Sequence, residues 1–160
     1  MIRLVGHVHL SVAVTYNNIG EVYRQQCKYD EALVEYQKSL DIKIRVVGHV
    51  HLSVAGTYNN IAGVYQHQGK YDEALVEFQK SLDIKIRVVG HVHPLVATSK
   101  YNIAGVNEVQ GNLEEARQLF LECEQIYSKV YGAQHEGTVD AARRAATVAR
   151  TQEGGHCGYV

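Results

Sequence analysis

The 160-residue chain has no excess of either charge: 16 Lys and Arg face 17 Asp and Glu, a formal net charge of −1. A balanced surface exerts no global pull on nucleic acid or on an anionic membrane. No apolar run approaches the roughly 20 residues that span a bilayer. The stretch Met1–Val5 carries one basic residue and no long apolar segment, unlike a secretory signal. Neither a membrane nor nucleic acid is an expected partner. Eleven tyrosines would suit stacking on RNA bases, but most fall at helical core positions. Cysteine is scarce. Cys27, Cys123 and Cys157 lie far apart and make no disulfide framework. A sparse, odd set fits a reducing compartment, so a cytoplasmic location is expected. Catalytic patterns are missing as well: there is no nucleophile–base motif, no glycine-rich phosphate loop and no acid–base carboxylate pair. Asp72 and Glu73, like Glu114 and Glu115, read as helix-start acids. No enzyme activity and no cofactor are expected.

What the chain does have is repetition. A segment of 42 residues begins at Gly6, recurs almost unchanged at Gly48, recurs in diverged form at Gly90 and starts again at Gly132. Repeats of this length mean a stacked array in which each unit buries its apolar face on its neighbours. The expected units are 6–47, 48–89 and 90–131, with a partial unit at 132–153, all in one array over residues 1–153. Residues 154–160, rich in glycine, are expected to form a disordered tail. Ile2-Arg3-Leu4-Val5 stands before Gly6 as Ile44-Arg45-Val46-Val47 stands before Gly48. The chain is therefore expected to be the C-terminal part of a longer array.

Each unit holds two helical patterns. Val12, Tyr16, Ile19, Gly20 and Tyr23 recur at three and four; Ala32, Leu33, Tyr36, Leu40 and Ile44 do the same. Between them falls a break, Gln26 to Asp30, with glycine at its centre in later copies (Gly69, Gly111) and Cys27 in the first. Glycine closes a helix in the left-handed conformation at little cost, so Cys27 is expected to cost roughly 1 kcal/mol there. Lys43 and Arg45 near the end of the second pattern suit the helix dipole. The single proline, Pro94, fits the first turn of a helix and agrees with the repeat phase. Seven helices are predicted, near 10–26, 30–46, 52–68, 72–88, 94–110, 113–130 and 136–152.

These residues resemble the tetratricopeptide repeat in the longer form of kinesin light chains. The first unit carries the likeness in Tyr16, Ile19, Gly20, Tyr23, Tyr29, Ala32, Tyr36, Ser39 and Leu40. The second repeats it in Tyr58, Ile61, Ala62, Tyr65, Tyr71, Ala74, Phe78, Ser81 and Leu82. The third keeps Ile103, Ala104, Gly111, Ala116 and Phe120 but has Asn107 and Leu113 where tyrosine is usual. The resemblance implies an all-α solenoid, a right-handed superhelix of three helix pairs plus a C-terminal capping helix. It also implies a non-catalytic scaffold that binds a peptide segment or a partner helix in a concave groove, as an adaptor of the light-chain type. The alternative is a structural or self-associating segment with no free groove, its exposed array ends stacking head to tail.

In that family the first helices line the groove. Carried over, the groove positions are Val14, Asn17, Asn18, Glu21, Arg24 and Gln25, then Asn59, Asn60, Gln66 and His67, then Thr98, Tyr101, Asn102 and Glu108. Asn18, Asn60 and Asn102 recur at the repeat period and are expected to form a ladder of amides suited to a peptide backbone. Arg144 takes the same place in the partial unit, and asparagines followed by a cation resemble a clamp for a terminal carboxylate. The first two copies differ at seven of 42 positions: Val14/Gly56, Gly20/Ala62, Glu21/Gly63, Arg24/Gln66, Gln25/His67, Cys27/Gly69 and Tyr36/Phe78. Four of the seven are groove positions, which reads as an array that varies its binding face.

Three H-x-H pairs, His7/His9, His49/His51 and His91/His93, continue in His135. A structural zinc needs four ligands at about 2.0–2.3 Å. Each loop supplies two, and equivalent loops are expected at least a helix-packing distance of about 8–10 Å apart. The histidines are therefore expected to cap or pack at helix starts, with no metal.

Overall fold

The computed structural model describes the backbone of residues 2–155, with side chains over residues 9–152. The helices are α1 (Ile2–Gln25), α2 (Tyr29–Val47), α3 (Leu52–His67), α4 (Tyr71–Val89), α5 (Pro94–Gln110), α6 (Leu113–Tyr131) and α7 (Glu136–Gly155). No strand occurs among the described residues. The fold is an α-solenoid of three helix pairs followed by a capping helix, built as two compact units, residues 1–88 (α1–α4) and 89–160 (α5–α7).

The local signals act where the repeat places them. Asp30 and Glu31, Asp72 and Glu73, and Glu114 and Glu115 occupy the first turns of α2, α4 and α6, where carboxylates face the positive end of the helix dipole. Pro94 opens α5, where its missing N–H costs nothing. The break inside each pair is left-handed: φ is 58° at Cys27, 73° at Gly69 and 83° at Gly111. Cys27 thus adopts the conformation that its neighbours assign to glycine. At the C-terminus α7 runs two residues into the stretch expected as a tail. The remainder of that stretch, residues 156–160, lies outside the described residues.

One boundary departs by more. The first helix was expected near residue 10, but α1 begins at Ile2. In the second copy Gly48, at φ 82°, ends α2 and lets α3 fold back. In the first copy the helix runs on through Gly6, and no such turn is made there.

In the first unit Ala32, Tyr36 and Leu40 of α2 form one cluster with Val54, Ala55, Ile61 and Val64 of α3 and Ile84 of α4. Ser39 Oγ donates to the Ala13 carbonyl at 2.7 Å, tying α2 to α1. The same position in the second unit is Cys123, whose Sγ donates to the Ala97 carbonyl at 3.1 Å. Burial pushes the Cys123 thiol up to about 12, so it is inert packing. The second unit's core joins Ala104 of α5, Ala116 and Phe120 of α6, and Ala145 and Val148 of α7. The alanines of α7 let it sit close on α6, the role expected of a cap.

Lys43 has a role beyond the helix dipole. Near the end of α2, as expected, it is buried, and Nζ donates to Thr57 Oγ1 of α3 at 2.7 Å. It has no carboxylate partner there, and burial draws its ammonium below the usual value. A long apolar stem with a donor tip serves as a tie between α2 and α3.

Candidate functional site

All fifteen groove candidates lie at least partly exposed, and none belongs to the core. Within the first unit they fall on α1 and α3. Asn60 Nδ2 of α3 donates to Asn17 Oδ1 of α1 at 3.2 Å, so an amide rung joins successive first helices. The rung pairs Asn60 with Asn17, not with Asn18, its counterpart in the repeat. Asn17 keeps its two Nδ2 donors and Asn60 its carbonyl oxygen for another chain. Asn18 is exposed and faces the other flank of α1, against Thr15, Ile19, Val22 and Tyr23. Asn59 is half-buried and hydrogen-bonded or otherwise engaged. Val14 is exposed, Gln66 half-buried, and His67 turns its Nδ1 to the Gly63 carbonyl at 2.6 Å.

Glu21, Arg24 and Gln25 form a network rather than three independent side chains. Arg24 donates to Glu21 through Nε at 2.9 Å and Nη2 at 2.5 Å, and Gln25 Nε2 donates at 3.0 Å. The buried Tyr36 hydroxyl donates to Glu21 Oε2 at 3.0 Å. The Arg24 hydrogen bond, aided by those of Gln25 and Tyr36 and opposed by burial, holds the Glu21 carboxyl down at about 2. Gly20 completes the set: a Cβ there would stand 2.9 Å from Tyr36 Cδ1 and Cε1.

This contact set revises the meaning of the seven differences. Five of them, at positions 20, 21, 24, 25 and 36, belong to it. Where the second copy has Phe78 there is no hydroxyl to receive, and Gly63, Gln66 and His67 replace the carboxylate and its partners. Ala62 replaces Gly20 in the same step. The changes co-vary because they touch one another, so their concentration on the wall has a packing cause.

In the second unit the wall candidates are Thr98, Tyr101, Asn102 and Glu108 on α5 and Arg144 on α7. Arg144 Nη2 donates to Glu108 at 2.5 Å, and the guanidinium lies 5.6 Å from the Tyr101 ring centroid and 4.9 Å from that of Phe120. Tyr101 and Arg144 occupy the repeat positions of Asn17 and Asn60, so a cation–π contact replaces the amide rung. Tyr101 Oη donates to Asp140 at 2.5 Å, and Arg143 pairs with the same carboxylate. Thr98 is exposed and shares a hydrogen bond with Tyr127 Oη at 3.1 Å. Asn102 is half-buried and engaged within the fold.

The histidine series has a definite role at three positions. His51 Nδ1 accepts from Ser53 N, His93 Nδ1 from Leu95 N and His135 Nδ1 from Gly137 N, each at 3.1 Å. Each is the residue before a helix and satisfies one of its unpaired N–H groups. Among the described residues no group of three or more His, Cys, Asp or Glu side chains is placed to hold an ion. His9 stands inside α1 rather than at a helix start, and the side chain of His7 lies outside the described residues.

Sequence reasoning missed one surface. Val12 and Ile19 belong to the apolar helical pattern, yet in α1 both are exposed, as is Val22 beside them. Among the described residues no helix is long and apolar enough to cross a membrane.

Three comparisons bear on this arrangement. The sequence model of the tetratricopeptide repeat family matches residues 1–45, 11–87, 53–108 and 96–154. Against curated proteins the chain gives no sequence match. Among solved structures it is similar to a Podosopora anserina protein described as a kinesin light chain, with nearly identical TPR-like repeats. The TM-score is 0.76 at 19% identity, covering 90% of this chain and 68% of that one. It is similar to the N-terminal domain of stress-induced protein-1 from C. elegans, with TM-score 0.66, 17% identity and coverage of 88% and 97%. It is also similar to PcrH, solved with the chaperone binding region of PopD, with TM-score 0.64, 17% identity and coverage of 86% and 91%. The chain spans about two thirds of the light-chain-like protein and 65% of a second relative, BtubC. At these identities the likeness is one of fold.

Proposed function

The chain belongs to the tetratricopeptide repeat family, and from that premise we propose that it is a non-catalytic scaffold whose first helices hold a segment of a partner protein. Such folds are in general protein–protein interaction scaffolds. The observation that carries the narrower reading is the rung between Asn17 and Asn60, half-buried, with donors and an acceptor left over on one wall. An amide offers both hydrogen-bonding senses, so it can hold an extended backbone without reading its side chains. PcrH, a fold neighbour, was solved with a region of PopD, which is a precedent for this fold holding a segment of another chain. A light-chain-like adaptor role rests on the sequence resemblance alone, and a cytoplasmic location rests on cysteine usage.

The carboxylate clamp is the weaker form of the proposal. A ligand carboxylate at Arg144 would have to displace Glu108, and the guanidinium already lies over two rings. An uncharged or extended segment against α1 and α3 fits better. The test is affinity capture from lysate with the parent chain beside Asn17→Ala/Asn60→Ala. A partner retained by the parent and lost from a variant of unchanged melting temperature supports the wall. The same partners on both proteins refute it.

A further inference from the structure

We propose that the histidines at the helix starts form an acid-sensitive latch: protonation of His51, His93 and His135 uncaps α3, α5 and α7 and loosens the repeats. The geometry is the same at all three. Each Nδ1 accepts a backbone N–H two residues on, from Ser53, Leu95 or Gly137, at 3.1 Å. His51 and His93 both hold extended backbone, with ψ 142°, as a capping residue does. An imidazole nitrogen accepts only through its lone pair, so here Nδ1 is bare and the ring hydrogen sits on Nε2. The oxygens of serine, asparagine and aspartate, the usual caps, still accept at about pH 6. Histidine differs, because one proton taken from water removes the lone pair. That proton also sets a positive charge at the positive end of a helix dipole. The folded chain therefore needs the neutral ring, and the unfolded chain, with no such demand, binds the proton more readily. Stability then falls as pH drops through the ordinary imidazole range near about 6.5.

The groups around each ring set the size of the response. At α3 the cap ends a chain of bonds. Lys43 Nζ of α2 donates to Thr57 Oγ1, Thr57 Oγ1 donates to the Ser53 carbonyl at 3.1 Å, and Ser53 Oγ lies 2.8 Å from His51 Nδ1. The charged group that α2 brings to this side is thus another cation. Neither α3 nor α5 has an acid in its first turn to favour a charged ring. At α5 the titratable group from α6 is Tyr127, bonded to Thr98, which donates to the Pro94 carbonyl at 3.0 Å. At α7 Glu136 stands in the first turn, and the Tyr131 and Tyr127 rings of α6 lie 4.4 and 6.3 Å from the His135 ring, centroid to centroid. A carboxylate and aromatic faces favour a charged ring, so the response is largest at α3 and α5. His67 has the opposite chemistry: its Nδ1 donates to the Gly63 carbonyl at 2.6 Å, a bond that survives protonation.

The test is urea unfolding of the full chain at about pH 7.5 and about pH 5.5, on either side of the imidazole range and above that of the carboxylates. We expect the parent midpoint to fall by roughly a tenth to a quarter on acidification. In His51→Asn/His93→Asn/His135→Asn an amide oxygen keeps each cap at both pH values, and less than half of that fall should remain. His49→Asn/His91→Asn, at exposed positions that are not caps, should keep all of it. Should the triple variant be unfolded, His51→Asn and His93→Asn singly carry the same comparison. By NMR the amide protons of Ser53 and Leu95 should titrate in step with the rings of His51 and His93, which histidines acting as mere bulk would not cause. A parent midpoint that does not fall, a fall as large in the cap variants as in the parent, or amide signals that ignore the ring titration overturns the proposal.

Discussion

Gly20→Ala tests whether the first unit is built around the Tyr36 ring. In an ordinary helix interior the change gains about 1 kcal/mol, since alanine is the better helix former. Here the added methyl would stand 2.9 Å from Cδ1 and Cε1 and 3.2 Å from Cγ of Tyr36. The ring has nowhere to retreat, because Tyr36 is fully buried and its hydroxyl is held by Glu21 at 3.0 Å. Overpacking of this kind costs about 1–3 kcal/mol. Taking about 2 for the clash against about 1 for propensity, Gly20→Ala destabilises by on the order of 1 kcal/mol. In a Tyr36→Phe background the ring is released from Glu21 and the pair becomes Ala and Phe, the pair at Ala62 and Phe78. There the same change is expected to be neutral or stabilising. A double-mutant cycle by urea unfolding of the full chain, followed by circular dichroism, should therefore give a coupling of about 1–2 kcal/mol. If Gly20→Ala stabilises by about 1 kcal/mol in both backgrounds, the contact is not tight and the account of the co-varying cluster fails.

Three further outcomes follow from the same structure. Cys27→Gly is expected to stabilise by about 1 kcal/mol, because φ is 58° at Cys27 and glycine carries no Cβ penalty there; a lower urea midpoint would contradict it. Lys43→Met is expected to stabilise on the order of 1 kcal/mol at neutral pH by removing a buried ammonium, while Thr57 Oγ1 keeps its bond to the Ser53 carbonyl at 3.1 Å. The lowered value of Lys43 means the unfolded chain binds its proton more tightly, so the parent should gain stability as pH rises toward the ordinary 10.5, a rise the variant lacks. Glu21 has the opposite sense: its folded value of about 2 lies below the ordinary 4.5. Its contribution is complete above pH 4.5 and is lost as pH falls toward 2, by a modest amount since the side chain is 36% exposed. Glu21→Gln should flatten the acid limb of a stability–pH curve, and an unchanged limb would refute the Arg24–Glu21–Tyr36 network.

How far the residues could be read depended on whether the information was periodic. Helix positions were legible because three aligned copies repeat the same apolar spacing, and Pro94 pins the phase at the start of α5. Interior helix ends agree within one or two residues for that reason. The start of α1 was not legible, since Gly6 stands in nearly the same local sequence as Gly48 and is nonetheless passed by a continuous helix. The burial of Lys43 was not legible, because a cation near a helix end and a cation tying two helices look alike until Thr57 of α3 is placed beside it. The differences between copies were visible, but their cause was not: that Gly20, Glu21, Arg24, Gln25 and Tyr36 touch is a fact of packing between α1 and α2. His51, His93 and His135 were legible as caps, because their place just before a helix is itself periodic, whereas His9, which falls inside α1, was not.

The central claim is that the wall formed by the first helices receives a partner. Side-chain amide resonances report on it directly. With a captured partner in hand, the Nδ2 signals of Asn17 and Asn60 should shift on titration, in step with backbone signals along α1 and α3. Shifts confined to α2 and α4, with both amides unmoved, would contradict the account.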